Sequence, residues 1–288
     1  MKNPVFVRGY SRSGGTLLVT LLDAHRNIAM SYEQYPNMLF DGGKPLTFRE
    51  LGDYLAKYKA KGDKSDVPEK VKTFVKRWVR SGLSIHDLVG SFDSLVDGNA
   101  ESEMSIIDAL EFIALGAEIK MEREHALRWG MKCNNRYKNY LTAFPEAKFL
   151  NITRDCRDVA SSQLNTGSFN KTAEEIAKGW VQTYRKFEAF ATESPDHCMQ
   201  VPYEALAENP DEYIDKICEF LGEPIDPRMK SHNEQDLTIF KTNHLSGERI
   251  SRPIDTSQIG RWKKDLNEDH LKEIYAVAGD LLDTLGYV

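Results

Sequence analysis

Hydrophobic positions change period several times along the chain. Val5-Phe6-Val7-Arg8 is a short apolar run that reads as a strand, and Leu17 to Leu22 reads as a helix following a glycine loop directly. Ile28 to Ser31 reads as a second short strand. Between residues 35 and 125 the pattern is helical, around 47–58, 69–80 and 102–120. From Arg128 strands and helices alternate again. "RWGMKC" (128–133) reads as a strand and 136–143 as a short helix. "KFLNITRD" (148–155) is a strand, because Phe149, Leu150 and Ile152 are apolar and the run ends at a charged pair. Residues 157–163 open the next helix. Over 172–192, Ile176, Trp180, Tyr184, Phe187 and Ala191 recur at steps of three and four, one helical face that we read as core. "CMQV" (198–201) is a strand, 211–221 a helix with apolar Ile214, Ile217 and Phe220, and 268–285 a last helix. Alternating strands and helices predict an α/β protein with a parallel sheet covered on both faces.

The loop between the first strand and helix carries the first chemical signal. In "GYSRSGGTLL" (9–18), Gly9 and Gly14 have the spacing of a phosphate loop, G-x-x-x-x-G-K-[ST], and Thr16 holds the last position. Gly15 stands where the lysine belongs, and Arg12 sits inside the loop. A triphosphate enzyme needs that lysine at the β- and γ-phosphates. The loop therefore suits a single 5′-phosphate bearing a reactive group, unless it is only a glycine-rich turn. A second anion motif, "TRDCRDVASS" (153–162), follows a strand, where open parallel sheets bind ligands. Arg154, Arg157, Ser161 and Ser162 offer arginine forks and hydroxyls, although Asp155 and Asp158 could simply pair with the arginines. Two phosphate sites imply a nucleotide phosphorylated in two places.

Composition narrows the classes. Over 288 residues, 41% hydrophobic and 28% charged positions are ordinary for a globular protein, and the net charge of −6 argues against a general nucleic-acid binder. No apolar run is long enough to span a membrane. Met-Lys-Asn-Pro enters a strand at once, leaving no room for a signal peptide, so the cytoplasm is the expected compartment. Cys133, Cys156, Cys198 and Cys218 are scattered with no zinc spacing, and no metal is expected. The basic stretch Lys57 to Arg80 reads as a solvated helix face, the sharper alternative being a patch for an anionic acceptor.

These motifs together resemble the sulfotransferase family, which uses 3′-phosphoadenosine 5′-phosphosulfate (PAPS) and releases the bisphosphate PAP. Arg12-Ser13-Gly14-Gly15-Thr16-Leu17 is similar to the family's 5′-phosphosulfate loop, and Arg154 through Ser162 to its 3′-phosphate motif. Tyr203-Glu204 in "VPYEALAENP", the later "FLGEP" and "GRWKKDL" (260–266) are further likenesses. The tyrosylprotein-type and bacterial carbohydrate or small-molecule enzymes look nearest. The resemblance implies a P-loop-like three-layer fold in one domain over 1–288, with 34–127 a mostly helical insertion on the acceptor side. It implies sulfuryl transfer to a hydroxyl acceptor, whether small molecule, carbohydrate or peptide. Such a displacement needs a base, a cation at the leaving oxygen and donors to the sulfonate. Glu33 lies twenty-one residues after Arg12, where tyrosylprotein-type enzymes place their base; His25 and His86 are rivals. Arg12 and Lys132 are the candidate cations. Tyr203, Ser246, Arg261, Lys263 and Lys264 are candidate nucleotide contacts, and Trp262 either packs near the nucleotide or is core. Two departures stand out: Gly15 replaces a hydroxyl residue, and Cys133-Asn134 follows Lys132 where the family has a proline. Competing readings are a small-molecule P-loop kinase and a family member that binds nucleotide without turnover.

Overall fold

The computed structural model describes residues 3–41, 43–96, 100–167, 169–235, 237 and 250–287. Its central feature is a five-stranded parallel sheet flanked by helices. The strands are β1 (Val5–Gly9), β2 (Ile28–Met30), β5 (Arg128–Lys132), β6 (Lys148–Thr153) and β7 (Cys198–Pro202), in the order β2-β5-β1-β6-β7. β3 (Phe40–Asp41) and β4 (Lys44–Pro45) form a separate small antiparallel hairpin. Val5, Phe6 and Val7, like Ile28, Ala29 and Met30, are buried in succession rather than in alternation. That is the mark of strands covered on both faces.

The described residues fall into two compact units, one from those within 3–6 and 22–148 with 235 and 237, the other from those within 7–21, 149–234 and 250–287. In the first, β2 and β5 pair in parallel, Met30 opposite Gly130. Four helices follow: α2 (Phe48–Lys61), α3 (Glu69–Arg80), α4 (Ile85–Leu95) and α5 (Ile106–Arg123). The helices expected from sequence did not include α4, although Ile85, Leu88, Val89 and Phe92 recur at helical spacing, and they placed the start of α5 four residues early. Capping chemistry fixes where both helices start. Ser84 with Asp87 and Ser105 with Asp108 form reciprocal capping boxes, so each helix starts at the residue after its serine. Trp78 of α3 packs on Phe112 of α5 with ring centroids 5.6 Å apart. Gly116 on α5 makes room for that indole, since a Cβ there would lie 2.3 Å from it.

In the second unit, β6 pairs with β7 in parallel, Phe149 opposite Cys198. The core joins α7 (Cys156–Asn165), α8 (Ala173–Glu193) and the last helix, Glu268–Thr284, through Ile176, Trp180, Ile274, Ala278 and Leu281. The stripe predicted on α8 is therefore core, with Tyr184 and Ala191 at its half-buried edge. On α10 (Pro210–Leu221), Cys218 and Leu221 join Ile214 and Ile217 in the interior, whereas Phe220 is only half-buried. A short helix, α9 (Tyr203–Glu208), follows β7 without a break and had no periodic signal.

Candidate functional site

The loop after β1 is shaped by close approaches within the second unit. A Cβ on Gly9 would lie 2.7 Å from the Ile152 carbonyl oxygen, so β1 and β6 tolerate only glycine there. Arg12 and Gly14 both have positive φ, 72° and 98°. Gly14 adopts this conformation freely, while Arg12 holds it at a cost in backbone strain. Gly14 also abuts the Tyr203 ring, 2.7 Å from where its Cβ would be. These two residues turn the chain so that α1 (Gly15–Asp23) begins at Gly15. The first N–H groups of a helix have no partner within it and favour an anion.

The two anion motifs meet at Arg12. Its Nε donates to Ser162 Oγ at 3.0 Å across 150 residues of sequence. Arg154 Nη1 donates to the Arg12 carbonyl at 3.3 Å, and Gln163 Nε2 to the Ser11 carbonyl at 3.0 Å. Arg154 is 4% exposed. Its guanidinium lies 4.7 Å from the Tyr203 ring centroid, donates to the Gln258 carbonyl and stands 3.7 Å from Asp158. Arg154 Nε and Ser13 Oγ are buried with no hydrogen-bond partner among the described residues. Buried polar atoms are rarely left so, and each can meet an anion's oxygen.

The second arginine of the motif has another task. Arg157 pairs with Asp155 at 2.7 Å, donates to Tyr275 Oη at 2.8 Å and to the Tyr287 carbonyl at 2.9 Å, and lies 4.2 Å from the Trp262 ring centroid. Pairing with a neighbouring aspartate, weighed above for both arginines, dominates here. Trp262 is accordingly half-buried beneath a guanidinium rather than in the core. Asp158 accepts from the N–H groups of Gly260 and Trp262 at 2.8 and 3.0 Å, which anchors the "GRW" segment to α7. Ser161 donates to Asp265 at 2.6 Å, and Arg261 binds the same carboxylate at 2.9 Å. Those bonds hold Asp265 below the usual carboxylate range, the serine bond most of all. Glu204 accepts from the Asp155 N–H at 2.9 Å and from Tyr287 Oη at 3.0 Å, yet burial pushes its pKa up. Lys263 and Lys264 are exposed, and Thr16 and Leu17 are half-buried in the first turn of α1. Ser246 lies outside the described residues.

A separate cluster stands in the first unit. Lys132 ends β5, and Glu33 follows β2 by three residues. Lys132 Nζ contacts Glu33 Oε1 at 2.6 Å, with side-chain exposures of 16% and 23%. Tyr35 Oη lies 3.4 Å from the other carboxylate oxygen. After Lys132, the Asn134 side chain accepts from the Arg136 N–H at 3.0 Å, which closes a turn. His25 is buried, and its Nδ1 accepts from the Asn27 N–H at 3.0 Å. His86 is exposed on α4. The basic stretch is not uniformly solvated: Arg77 donates to the Glu33 carbonyl at 2.8 Å and Arg80 to Tyr32 Oη at 3.2 Å. Sequence reasoning missed both contacts, since a charged helix face looks the same whichever residue it serves.

The sulfotransferase family profile matches residues 4–227. The chain belongs to that family. Protein-tyrosine sulfotransferase 1 of Danio rerio is 21% identical over 301 residues, covering 98% of this chain and 72% of its own length. A Caenorhabditis elegans relative named for protein-tyrosine sulfotransfer is 30% identical over 152 residues, 50% of this chain and 58% of that relative. The match thus spans little more than half of the nematode relatives. The sulfotransferase domain of the Synechococcus PCC 7002 olefin synthase shares the fold, with a TM-score of 0.61 at 19% identity over 96% of both chains. A mouse sulfotransferase complexed with PAP shares it at a TM-score of 0.54 and 11% identity, over 98% of this chain and 85% of its own. Among the described residues no helix is long and apolar enough to cross a membrane.

Proposed function

We propose that this sulfotransferase-family chain transfers the sulfuryl group of PAPS to a hydroxyl acceptor by in-line displacement, with Glu33 as the general base. The observation that carries the reading is the Arg12–Ser162 hydrogen bond, which joins the 5′-phosphate loop to the 3′-phosphate motif. The unpartnered Arg154 Nε and Ser13 Oγ suit a doubly phosphorylated nucleotide. The mouse structure with PAP supports the same ligand, and the relatives named for protein-tyrosine sulfotransfer support a hydroxyl acceptor.

When bound, PAPS supplies the sulfuryl group and, in its 5′-phosphate, the leaving oxygen. Gly14, Gly15, Thr16 and Leu17 offer loop and helix N–H groups to the 5′ end, and Ser13 offers its hydroxyl, its own N–H being donated to the Tyr10 carbonyl. Arg154 and Ser162 hold the 3′-phosphate. Tyr203, Ser246, Arg261, Trp262, Lys263 and Lys264 complete the nucleotide contacts. Arg12 and Lys132 place positive charge at the leaving oxygen and the sulfonate. Glu33 accepts the acceptor's hydroxyl proton, and its contact with Lys132 orients the carboxylate.

A thermal-shift titration with PAP beside Mg-ATP tests the nucleotide. Stabilisation by PAP and not by Mg-ATP is expected; stabilisation by Mg-ATP alone would remove the sulfotransferase reading in favour of a kinase. Glu33→Gln should lower turnover by roughly 10²- to 10⁴-fold while leaving PAP binding nearly intact. Wild-type turnover in that variant would remove Glu33 as the base.

A further inference from the structure

We infer that Arg77, on the last turn of α3, is a positioning residue for Glu33; the inference rests on Glu33 being the base. Three residues at that end of the helix, Arg77, Arg80 and the C-cap Ser81, hold the segment Tyr32 to Tyr35. Arg77 Nη1 donates to the Glu33 carbonyl at 2.8 Å, and its guanidinium lies 5.5 Å from the Tyr35 ring centroid. Tyr35 Oη in turn lies 3.4 Å from the Glu33 carboxylate. Arg77 therefore grips the Glu33 backbone on one side and, through Tyr35, faces its carboxylate on the other. The flanking contacts are of the same kind. Ser81 Oγ, which belongs to a fully buried residue, accepts from the Tyr32 N–H at 2.9 Å. Arg80 donates to Tyr32 Oη at 3.2 Å and lies 5.3 Å from that ring's centroid.

The segment needs such a frame. β2 ends at Met30, and its ladder to β5 ends with the Ser31 N–H donating to the Gly130 carbonyl at 2.7 Å. Residues 31–35 have no helix or strand of their own. The α3 contacts restrain the backbone that carries the carboxylate, while Lys132 meets the carboxylate itself. Misplacing a catalytic group by about 1 Å can cost on the order of 10²-fold in rate. A guanidinium can serve a carbonyl and an aromatic face at once because it is planar and carries several donors. A lysine can keep the hydrogen bond but not both contacts.

The test uses the full chain with PAPS and p-nitrophenol. Arg77→Ala should lower kcat by roughly 10- to 100-fold, leave the KM for PAPS within about twofold, and leave the PAP-induced thermal shift unchanged. Arg77→Lys should recover part of the loss. The double variant Glu33→Gln/Arg77→Ala should be no slower than Glu33→Gln alone, because two changes on one path do not add. A double variant slower by the full Arg77→Ala factor would show that Arg77 acts elsewhere. A kcat within twofold of wild type would overturn the inference, as would a kcat loss matched by an equal loss of PAP binding. Full turnover in Glu33→Gln would instead sink the base assignment, a separable outcome. A crystal structure of Arg77→Ala gives a readout without turnover: an unmoved Glu33, still 2.6 Å from Lys132, would refute the positioning role.

Discussion

Arg154 and Lys132 are both cations at the carboxyl end of a parallel strand, and the fold treats them differently. Arg154 is 4% exposed, with its head group against a tyrosine face, two backbone carbonyls and an aspartate. The Lys132 side chain is 16% exposed and meets the Glu33 carboxylate. Burying a charge is costly unless several partners satisfy it. A cation meant to hold an anion can accept that cost, since a fixed donor array needs no rearrangement when the anion arrives. The role proposed for Glu33 calls for a carboxylate that can exchange a proton with an incoming acceptor, and the structure leaves that carboxylate partly exposed while Arg77 holds its backbone carbonyl. The anion cluster is thus built from the inside and the acid–lysine pair from the outside.

Exchanging the two cations for alanine should split activity from stability. Lys132→Ala should lower kcat by roughly 10²- to 10³-fold. Its cost to folding should stay within about 1 kcal/mol, because a partly exposed pair contributes little to stability. Arg154→Ala should cost about 3 kcal/mol of stability, since buried Asp158 loses a cation that faces it. It should also weaken PAP binding by roughly 100-fold through the lost charge-assisted bonds. Urea unfolding and PAP titration of both variants decide the matter. Equal stability losses would erase the distinction between the regions.

The region built from the inside was also the more legible one. β1, its glycine loop, β6 and α8 announce themselves because apolar runs and three-four spacing report burial directly, and burial is what these elements do. Arg12 stands among loop glycines, and Arg154 and Ser162 follow a strand end, so residue types and local spacing in each stretch pointed to an anion. Asp158 was visible only as a partner for an arginine; that it caps Gly260 and Trp262 depends on a fold contact across 102 residues. In the first unit the signals were read less completely. α4 does carry an apolar repeat, Ile85, Leu88, Val89, Phe92 and Leu95, that the expected helices did not include, and the Ser84 and Asp87 capping pair was a second clue. Arg77 was hidden among the lysines and arginines of 57–80, because the contact that matters is with the backbone of Glu33, forty-four residues away.

Acid should move two carboxylates of the two regions in opposite directions. Asp23, the last residue of α1, accepts from the Met30 N–H at 2.9 Å and so braces β2, the strand that leads to Glu33. Burial raises its pKa from 3.8 to about 6, against the pull of Lys120. The folded state therefore holds a proton that the unfolded state gives up. That stability is fully present below about pH 4 and is lost as pH rises through 6. Relative to Asp23→Asn, the wild type should gain up to about 3 kcal/mol between pH 7 and pH 4. Asp265 is the reverse case, its pKa lowered by Ser161 and Arg261. Its contribution is present above the ordinary aspartate value and fades as pH falls below it. The gap between wild type and Asp265→Asn should narrow in acid. Melting temperatures of the three proteins across that range decide it, and parallel curves would contradict both assignments.

The smallest effect concerns Gly15 in the anion cluster. Gly15 opens α1 and offers an N–H group at the position where the resemblance implies a hydroxyl residue. Its φ is not among the positive ones, so a side chain meets no left-handed strain there. Gly15→Ser should add one hydrogen bond to a charged group, worth about 1.5 kcal/mol, and tighten PAP binding by roughly tenfold. Serine in the first turn should leave folding within about 0.5 kcal/mol, being a better helix residue than glycine. Calorimetric titration of PAP into both proteins measures the gain. Tighter binding with unchanged kcat would mean that the loop was one donor short and that this donor contributes only to binding. Unchanged affinity would mean that the buried donors, Arg154 Nε and Ser13 Oγ, already carry the anion, and that the inside-built cluster needs nothing from its rim.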